Sequence, residues 1–452
     1  METDIGPRAG ELGLLTDLYE FNMAAAYLHE DMNGEAVFSL FFRKLPAHRN
    51  FMLACGQEHA ARLVTELRFP PEQVERLRQT GLFPEVLLDW LGEFRFSGDI
   101  HAMPEGTPVF PHEPLLEIRA PIAEAQVLES LIMNYVNLET VLASKAVRVV
   151  QAAAGRPVMD FGMRRMHGLD AALRGVRAYR AAGISATSNV LASLRHDLPA
   201  RGTMAHSYVQ AHDSEMDALR NYARLYPGTT LLVDTHDTLR GVDRVIQLVR
   251  EEQLQVGAIR IDSGDLLALS RQCRDRLDRA GLEDIGIVVS GGLDEWRMRE
   301  LLDGGAPIDA FGVGTDMGAA ADAPSLDLAY KLTEYDGAPR LKNSPGKQLH
   351  PGAKQVWRFS DGQGQYQYDE ITARDEGRDG IPLLRPVVER GRLVHPVSDP
   401  DQARQRVQES LQALPQSFLA LEPTTQAWPV HFSEQLEAMR TRELKRLNNE
   451  QA

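Results

Sequence analysis

A chain of 452 residues is about three times the size of an ordinary domain, so it divides into two or three packed units and is too long for a single small binding module. Hydrophobic residues at 43%, charged residues at 25%, and 36 Gly beside 25 Pro are globular proportions, which exclude wholesale disorder, collagen and coiled coil. With 49 Lys and Arg against 64 Asp and Glu, the net charge of −15 has the wrong sign for a nucleic-acid surface and leaves small anions as ligands only where a local cationic pocket meets them.

The opening METDIGPRAGELG has no basic start followed by an apolar run and reads as a loose tail, not an export signal. Residues 14–28 (LLTDLYEFNMAAAYL) place Leu14, Leu18, Phe21, Met23, Ala25 and Leu28 near helical spacing, with Thr16 or Asp17 able to cap the start, which predicts a short amphipathic helix. AVFSLFF (36–42) predicts a strand. Pro104, Pro108, Pro111, Pro114 and Pro121 forbid a continuous helix and predict short strands and turns. From Glu124 to about Ala154 a stretch without Pro or Gly predicts one or two helices and entry into a new domain. Between 157 and 316, short apolar runs (PVMDFG, GISATS, GTTLLVD, GAIRID, IGIVVSGG, DAFGVG) alternate with helix-like stretches such as 238–252 and LDEWRMRELLDGG. That alternation implies parallel strands, closed as a β/α barrel or open as a doubly wound sheet, and the strand ends described next favour the barrel. After about residue 335, charged and Gly-rich turns surround short strands, and a charged helical segment from about Ser433 ends the chain. The expected domains are therefore 1–123 (α+β), 124–335 (barrel) and 336–452, the last a small unit or a return to the first. Cys55 and Cys273 support neither a disulfide framework nor a thiolate metal cluster, and no stretch reaches ~18 apolar residues, so a reducing cytoplasm without a membrane is expected.

Nearly every apolar run in 157–316 ends in polar or Gly residues. Asp160, Arg164 and Arg165 follow the first; Thr187, Ser188 and Asn189 the next; then Asp234, His236 and Asp237; then Arg260, Asp262, Ser263 and Asp265. A barrel active site draws its residues from the C-terminal ends of several strands, whereas helix caps and turns would account for any one cluster alone. Ser290-Gly291-Gly292 and Gly312-Val313-Gly314-Thr315 are candidate phosphate cradles, because Gly lets backbone N–H groups close on an anion. Arg164 could grip a carboxylate or phosphate bidentately. His206 stands among small and hydroxylated residues in GTMAHSY, with room for a reactive imidazole.

The segments LLTDLYEFNMAAAYL, FRKLP, DFGMRR, ATSNVLA, GTMAHSY, RIDSGD, VVSGGLDE, DAFGVGT and YKL (330–332), in this order, resemble the nicotinate phosphoribosyltransferase family over about three quarters of the chain. The resemblance implies an irregular β/α barrel of the type II phosphoribosyltransferase kind, with an N-terminal α+β domain. It also implies synthesis of nicotinate mononucleotide and pyrophosphate from nicotinate and phosphoribosyl pyrophosphate, coupled to ATP hydrolysis. By the same resemblance His206 is the phosphorylated histidine, Phe161 and Arg164 meet the pyridine ring and its carboxylate, and Tyr19 reaches that site from a partner subunit in a homodimer. Arg260 and Asp262 contact the ribose and phosphates, while Gly291, Gly292, Gly314 and Thr315 cradle the 5′-phosphate. Displacing pyrophosphate builds oxocarbenium character on the ribose and charge on the leaving group, which calls for Mg²⁺ held through water and substrate phosphates. Asp234, Asp237 and Asp262 are the candidates for electrostatic or metal-shell roles. Met166 and His167 after DFGMRR, and the missing Gly before TSN, depart from the family pattern in ways that could alter substrate fit. Ser188 stands where the nicotinamide-specific relatives carry an Asp, and so favours the acid over the amide. A ligand sensor on the same fold that no longer turns over is the alternative of another class.

Overall fold

The computed structural model describes residues 10–342, 349–397 and 399–450. Residues 1–9 of the expected tail and 343–348 of the turn-rich stretch lie outside the described residues. The chain separates into two compact units, one running to Ala143 and resuming at Ser325, the other Ser144–Pro324.

The first unit is built on a seven-stranded antiparallel sheet in which Glu35–Phe42 lies between Leu328–Tyr335 and Leu116–Pro121. The unbroken apolar run 36–42 is explained by its position, because every residue after Glu35 is buried. Its one hydroxyl, Ser39, donates to Glu117 Oε1 at 2.5 Å, and Glu117 also takes Lys354 Nζ at 3.1 Å and Arg374 at 2.7 Å. Leu328–Tyr335 supplies the ladder partners that the inner strand's backbone requires, from Phe42↔Leu328 to Ala36↔Tyr335. The segment expected to end the barrel domain at 335 therefore belongs to this sheet. A second, four-stranded sheet joins Ile381–Pro382, Lys354–Ser360, Tyr366–Ala373 and Val430–Phe432. The helix expected near 14–28 is split: a 3₁₀ turn at Leu12–Leu14 precedes the α-helix Leu18–His29. Asp17 holds the cap position, yet its carboxylate accepts from the Ser130 hydroxyl at 3.2 Å and not from a helix N–H.

The second unit is a parallel sheet of six strands: β1 (Val158–Asp160), β2 (Ala186–Thr187), β3 (Thr229–Leu232), β4 (Val256–Ile261), β5 (Gly286–Ser290) and β6 (Ala310–Val313). Their order is β2-β1-β6-β5-β4-β3, and Leu231, Ile259, Ile287, Val289, Phe311 and Val313 are fully buried in its core. The edges β2 and β3 do not pair directly. Between them runs the segment 199–203, where Thr187 N donates to Pro199 O at 3.1 Å, Arg201 N donates to Thr187 O at 2.9 Å, and the Thr203 hydroxyl donates to Thr230 O at 2.5 Å. A barrel bridged by non-strand chain is an irregular β/α barrel. Asn189, Asp237, Asp265 and Asp294 cap the helices that follow β2, β3, β4 and β5, each accepting from the backbone N–H three residues on.

Candidate active site

The polar clusters at the strand ends divide into two jobs. In three of the four clusters one residue, Asn189, Asp237 or Asp265, caps the next helix, which uses one oxygen of Asp237 (2.9 Å from Arg240 N) and removes it from the front rank of ligands. Arg164, Arg165, Arg260 and Asp262 line a cavity of about 400 Å³ at the C-terminal ends of β4, β5, β6 and β1, whereas Ser188, His206 and Asp234 are not among its lining residues. Arg260 and Asp262 line it from the end of β4, Phe161 and Arg164 from the turn after β1, and Gly291, Gly292, Gly314 and Thr315 from the two glycine turns. Arg165, Ser290 and Asp316 also line it.

The floor is a hydrogen-bonded set. Arg260 Nε donates to Ser290 Oγ at 2.8 Å and Nη2 to Asp262 Oδ1 at 2.7 Å, while the Ser290 hydroxyl closes the triangle on Asp262. Burial alone would push the Asp262 carboxyl up, but the hydrogen bonds from Arg260 and Ser290 and the charges of Arg260 and His206 outweigh it and hold it below the ordinary carboxylate range. Asp262 is thus an anion throughout the neutral range. The Arg260 guanidinium also lies 5.6 Å from the centre of the Phe161 ring, a cation–π distance that fixes one face of that ring.

Asp234 lies beneath this floor, its Oδ2 accepting from Asp262 N at 2.8 Å and the Ser263 hydroxyl at 2.9 Å. Its Oδ1 is buried and has no hydrogen-bond partner among the described residues, which is the state of an acceptor kept for a cation or an ordered water. His206 begins the short helix His206–Gln210, with Nδ1 3.1 Å from the Thr235 hydroxyl and Nε2 3.9 Å from Asp262 Oδ2. Ser188 is exposed at the end of β2, and its N–H donates to Asp160 O at 2.9 Å. Asp160 itself is buried, receiving the Thr187 hydroxyl at 2.7 Å and Gly162 N at 2.8 Å, so it ties the DFG and TSN turns together. Burial pushes its carboxyl up against those two bonds.

Tyr19 belongs to the first unit. It lines a cavity of about 810 Å³ there with Leu15, Asp17, Glu129 and Leu326, and burial, then the Glu129 charge, push its phenol up, so it stays protonated. Also in that unit, Cys55, Glu105 and Glu139 bring ligand atoms within 4.8 Å of one another, but Gly56 N donates to Glu105 at 3.0 Å and the Cys55 thiol to Glu139 at 3.9 Å. Thr235 and Asp316 were not singled out from sequence. Each is the neighbour of a residue that was, Asp234 and Thr315, and adjacency was the one available signal.

A model of the nicotinate phosphoribosyltransferase N-terminal domain matches residues 14–137, and the model of the nicotinate phosphoribosyltransferase family matches residues 157–351. A nicotinate phosphoribosyltransferase of Mycobacterium tuberculosis is 48% identical over 426 residues, 94% of this chain and 92% of that one. That of Bacillus subtilis is 37% identical over 366 residues, 79% of this chain and 75% of the other. The crystal structure of human nicotinic acid phosphoribosyltransferase superposes with a TM-score of 0.84 at 25% identity, covering 94% of this chain and 99% of that one. The nicotinate-nucleotide pyrophosphorylase of Pyrococcus furiosus shares the fold, with a TM-score of 0.76 at 24% identity over 91% of this chain and 98% of the other.

Proposed function

The chain belongs to the nicotinate phosphoribosyltransferase family, and from that premise we propose that its parallel-sheet unit transfers the phosphoribosyl group of phosphoribosyl pyrophosphate to the ring nitrogen of nicotinate, with ATP hydrolysis coupled through a phosphorylated His206. The observation that carries this reading is the meeting in one cavity of the Arg260–Asp262–Ser290 set, the Phe161 ring and two glycine turns. The nicotinate nitrogen attacks the anomeric carbon as the bond to pyrophosphate breaks. Positive charge then grows on the ribose and negative charge on the leaving group, and the work of the site is to sit complementary to both.

Each residue has a part in that. Asp262, held ionised, faces the developing oxocarbenium charge, and Arg260, locked by two partners, presents a guanidinium that need not reorganise when charge moves toward pyrophosphate. The Phe161 ring stacks on the pyridine, and Arg164, exposed at the cavity wall, pairs with its carboxylate. Gly291, Gly292, Gly314 and Thr315 bring backbone N–H groups to the 5′-phosphate. The free Asp234 Oδ1 fits Mg²⁺ or its water shell, and Mg²⁺ when bound would screen the pyrophosphate charge. With Nδ1 of His206 held by Thr235, Nε2 is the nitrogen left to take the γ-phosphoryl group of ATP, and the new dianion would order the neighbouring cationic side chains. Ser188 offers an exposed hydroxyl where a carboxylate would repel nicotinate, which favours the acid over nicotinamide.

Tyr19 completes the site if the protein is a homodimer with shared active sites. The first unit exposes Leu18 (56%) and Tyr19 (44%), and the second exposes Val190 (68%) and Leu194 (78%), apolar surfaces of the kind that subunit contact covers. Two buried free thiols, Cys55 and Cys273, suit a cytoplasmic home. The test of the coupled reading is incubation with γ-labelled ATP. Wild type should carry acid-labile, base-stable label and His206→Ala none, and product formation by His206→Ala should not respond to ATP. Label retained in the variant would overturn the phosphohistidine assignment.

A further inference from the structure

Lys145 lies on the helix Glu129–Ala152, outside every motif named above, and its side chain is 2% exposed. A buried ammonium is costly unless it is paired, and this one is paired three times. Its Nζ is 2.6 Å from Glu295 Oε2 and 3.0 Å from Asp322 Oδ1, and it also pairs with Asp316. One turn on, Arg148 Nε donates to the other Glu295 oxygen at 2.9 Å. Glu295 opens the helix that follows the Gly291-Gly292 turn, whereas Asp316 is in the first turn of the short helix Thr315–Ala319 that follows Gly314, and Asp322 lies just past its end. One cation therefore bridges the two turns that line the cavity from the ends of β5 and β6.

We propose that Lys145 is a positioning residue for the phosphoribosyl donor, holding the two glycine turns at a fixed spacing and cancelling acidic charge beneath them. The claim rests on the reading of those turns as the phosphate cradle. Its physical basis is twofold. An anion gripped by N–H groups from two separate turns is bound well only if their separation is set in advance, since each turn that must be ordered on binding weakens it. Asp316 also lines the cavity, so without Lys145 its carboxylate, with those of Glu295 and Asp322 and the nearby Asp294, would face donor phosphates with Arg148 as the one remaining counter-charge among these groups. Stability alone is a weak reason for such a group, because apolar packing can replace buried ion pairs at little cost.

The test is steady-state kinetics and calorimetry on wild type, Lys145→Met and the double variant K145Q/E295Q, which replaces a buried ion pair by two amides without changing the local charge sum. The expected result is a KM for phosphoribosyl pyrophosphate raised at least tenfold, with the KM for nicotinate and kcat at saturating donor within threefold of wild type. Calorimetry should show the same tenfold loss for ribose 5-phosphate, a readout that needs no turnover. Equal donor KM and equal ribose 5-phosphate affinity in a folded Lys145 variant would overturn the proposal, as would a uniform fall in kcat with unchanged KM. If Lys145→Met does not fold, the double variant decides by the same criteria. Wild type that neither binds ribose 5-phosphate nor turns over would instead overturn the cradle reading, and the two failures are thereby distinguished.

Discussion

At Gly291 the backbone turns with φ +85°, and a Cβ there would lie 1.9 Å from the carbonyl oxygen of Asp262. Gly291→Ala must therefore both adopt a left-handed conformation and push back the end of β4, the strand that carries Arg260 and Asp262. The expected cost is about 1–3 kcal/mol of stability and a fall in kcat/KM of at least about 100-fold if the Arg260–Asp262–Ser290 set is displaced by an ångström, read from thermal unfolding and initial rates. Gly312 makes a gentler probe. A Cβ there meets the Phe161 ring at 2.5 Å, a side chain that can move, so Gly312→Ala should raise the KM for nicotinate and leave that for the donor nearly unchanged. An unchanged nicotinate KM would argue against Phe161 as the stacking face. The glycines of these turns were legible in the sequence as possible phosphate cradles. Which carbonyl or ring each one makes room for was not, because those neighbours come from other strands.

At the scale of elements, the paired strands Lys354–Ser360 and Tyr366–Ala373 set Arg358 directly opposite Asp369. Arg358 Nε and Nη2 reach the two Asp369 oxygens at 2.8 and 2.7 Å, Trp428 Nε1 donates to the same carboxylate at 2.9 Å, and the rings of Phe110, Tyr366 and Trp428 surround the guanidinium. Asp369→Asn would leave a buried guanidinium without its counter-charge and should cost about 3–5 kcal/mol, measured by chemical denaturation. Beside this pair Glu113 is fully buried, and burial, then the Asp369 charge, push its carboxyl well above the ordinary range. The sign of the consequence is fixed. The folded protein holds this proton more tightly than the unfolded chain, so as pH rises above the ordinary Glu value the unfolded state alone releases it, and stability falls by about 1.4 kcal/mol per pH unit until the folded group titrates. Glu113→Gln should remove that slope above the ordinary Glu range. Parallel wild-type and variant curves of stability against pH would contradict it. The strand at 36–42 and the helices near 238–252 and 434–450 were legible from period and apolar runs. The pairing of Phe42 with Leu328 was not, since nothing in either segment names a partner so distant in sequence. Lys145 was hidden for the same reason, as Glu295 is 150 positions away.

For the molecule as a whole, the alternation of strand and helix between 157 and 316 carried the barrel into view, and the order of the motifs carried the family. The sequence did not reveal that the edges of the sheet are bridged by the segment 199–203, which has no strand pattern of its own. The proposed sharing of active sites between subunits makes a further prediction at this scale. Tyr19→Ala and Arg164→Ala homodimers should each be nearly inactive, but unfolding and refolding them together should restore about a quarter of wild-type activity, because half the dimers are mixed and each has one intact site. No recovery in a mixture shown to contain mixed dimers would place Tyr19 and Arg164 in the same subunit's site. The central claim, a phosphoribosyl transfer selective for the acid, is tested most directly by product analysis. Purified protein is mixed with phosphoribosyl pyrophosphate, Mg²⁺ and equimolar nicotinate and nicotinamide, with and without ATP, and the products are read by mass spectrometry. The roles proposed for Phe161, Arg164 and Ser188 predict nicotinate mononucleotide alone, and that proposed for His206 predicts a greater amount with ATP; nicotinamide mononucleotide, or no nucleotide under either condition, would contradict the account.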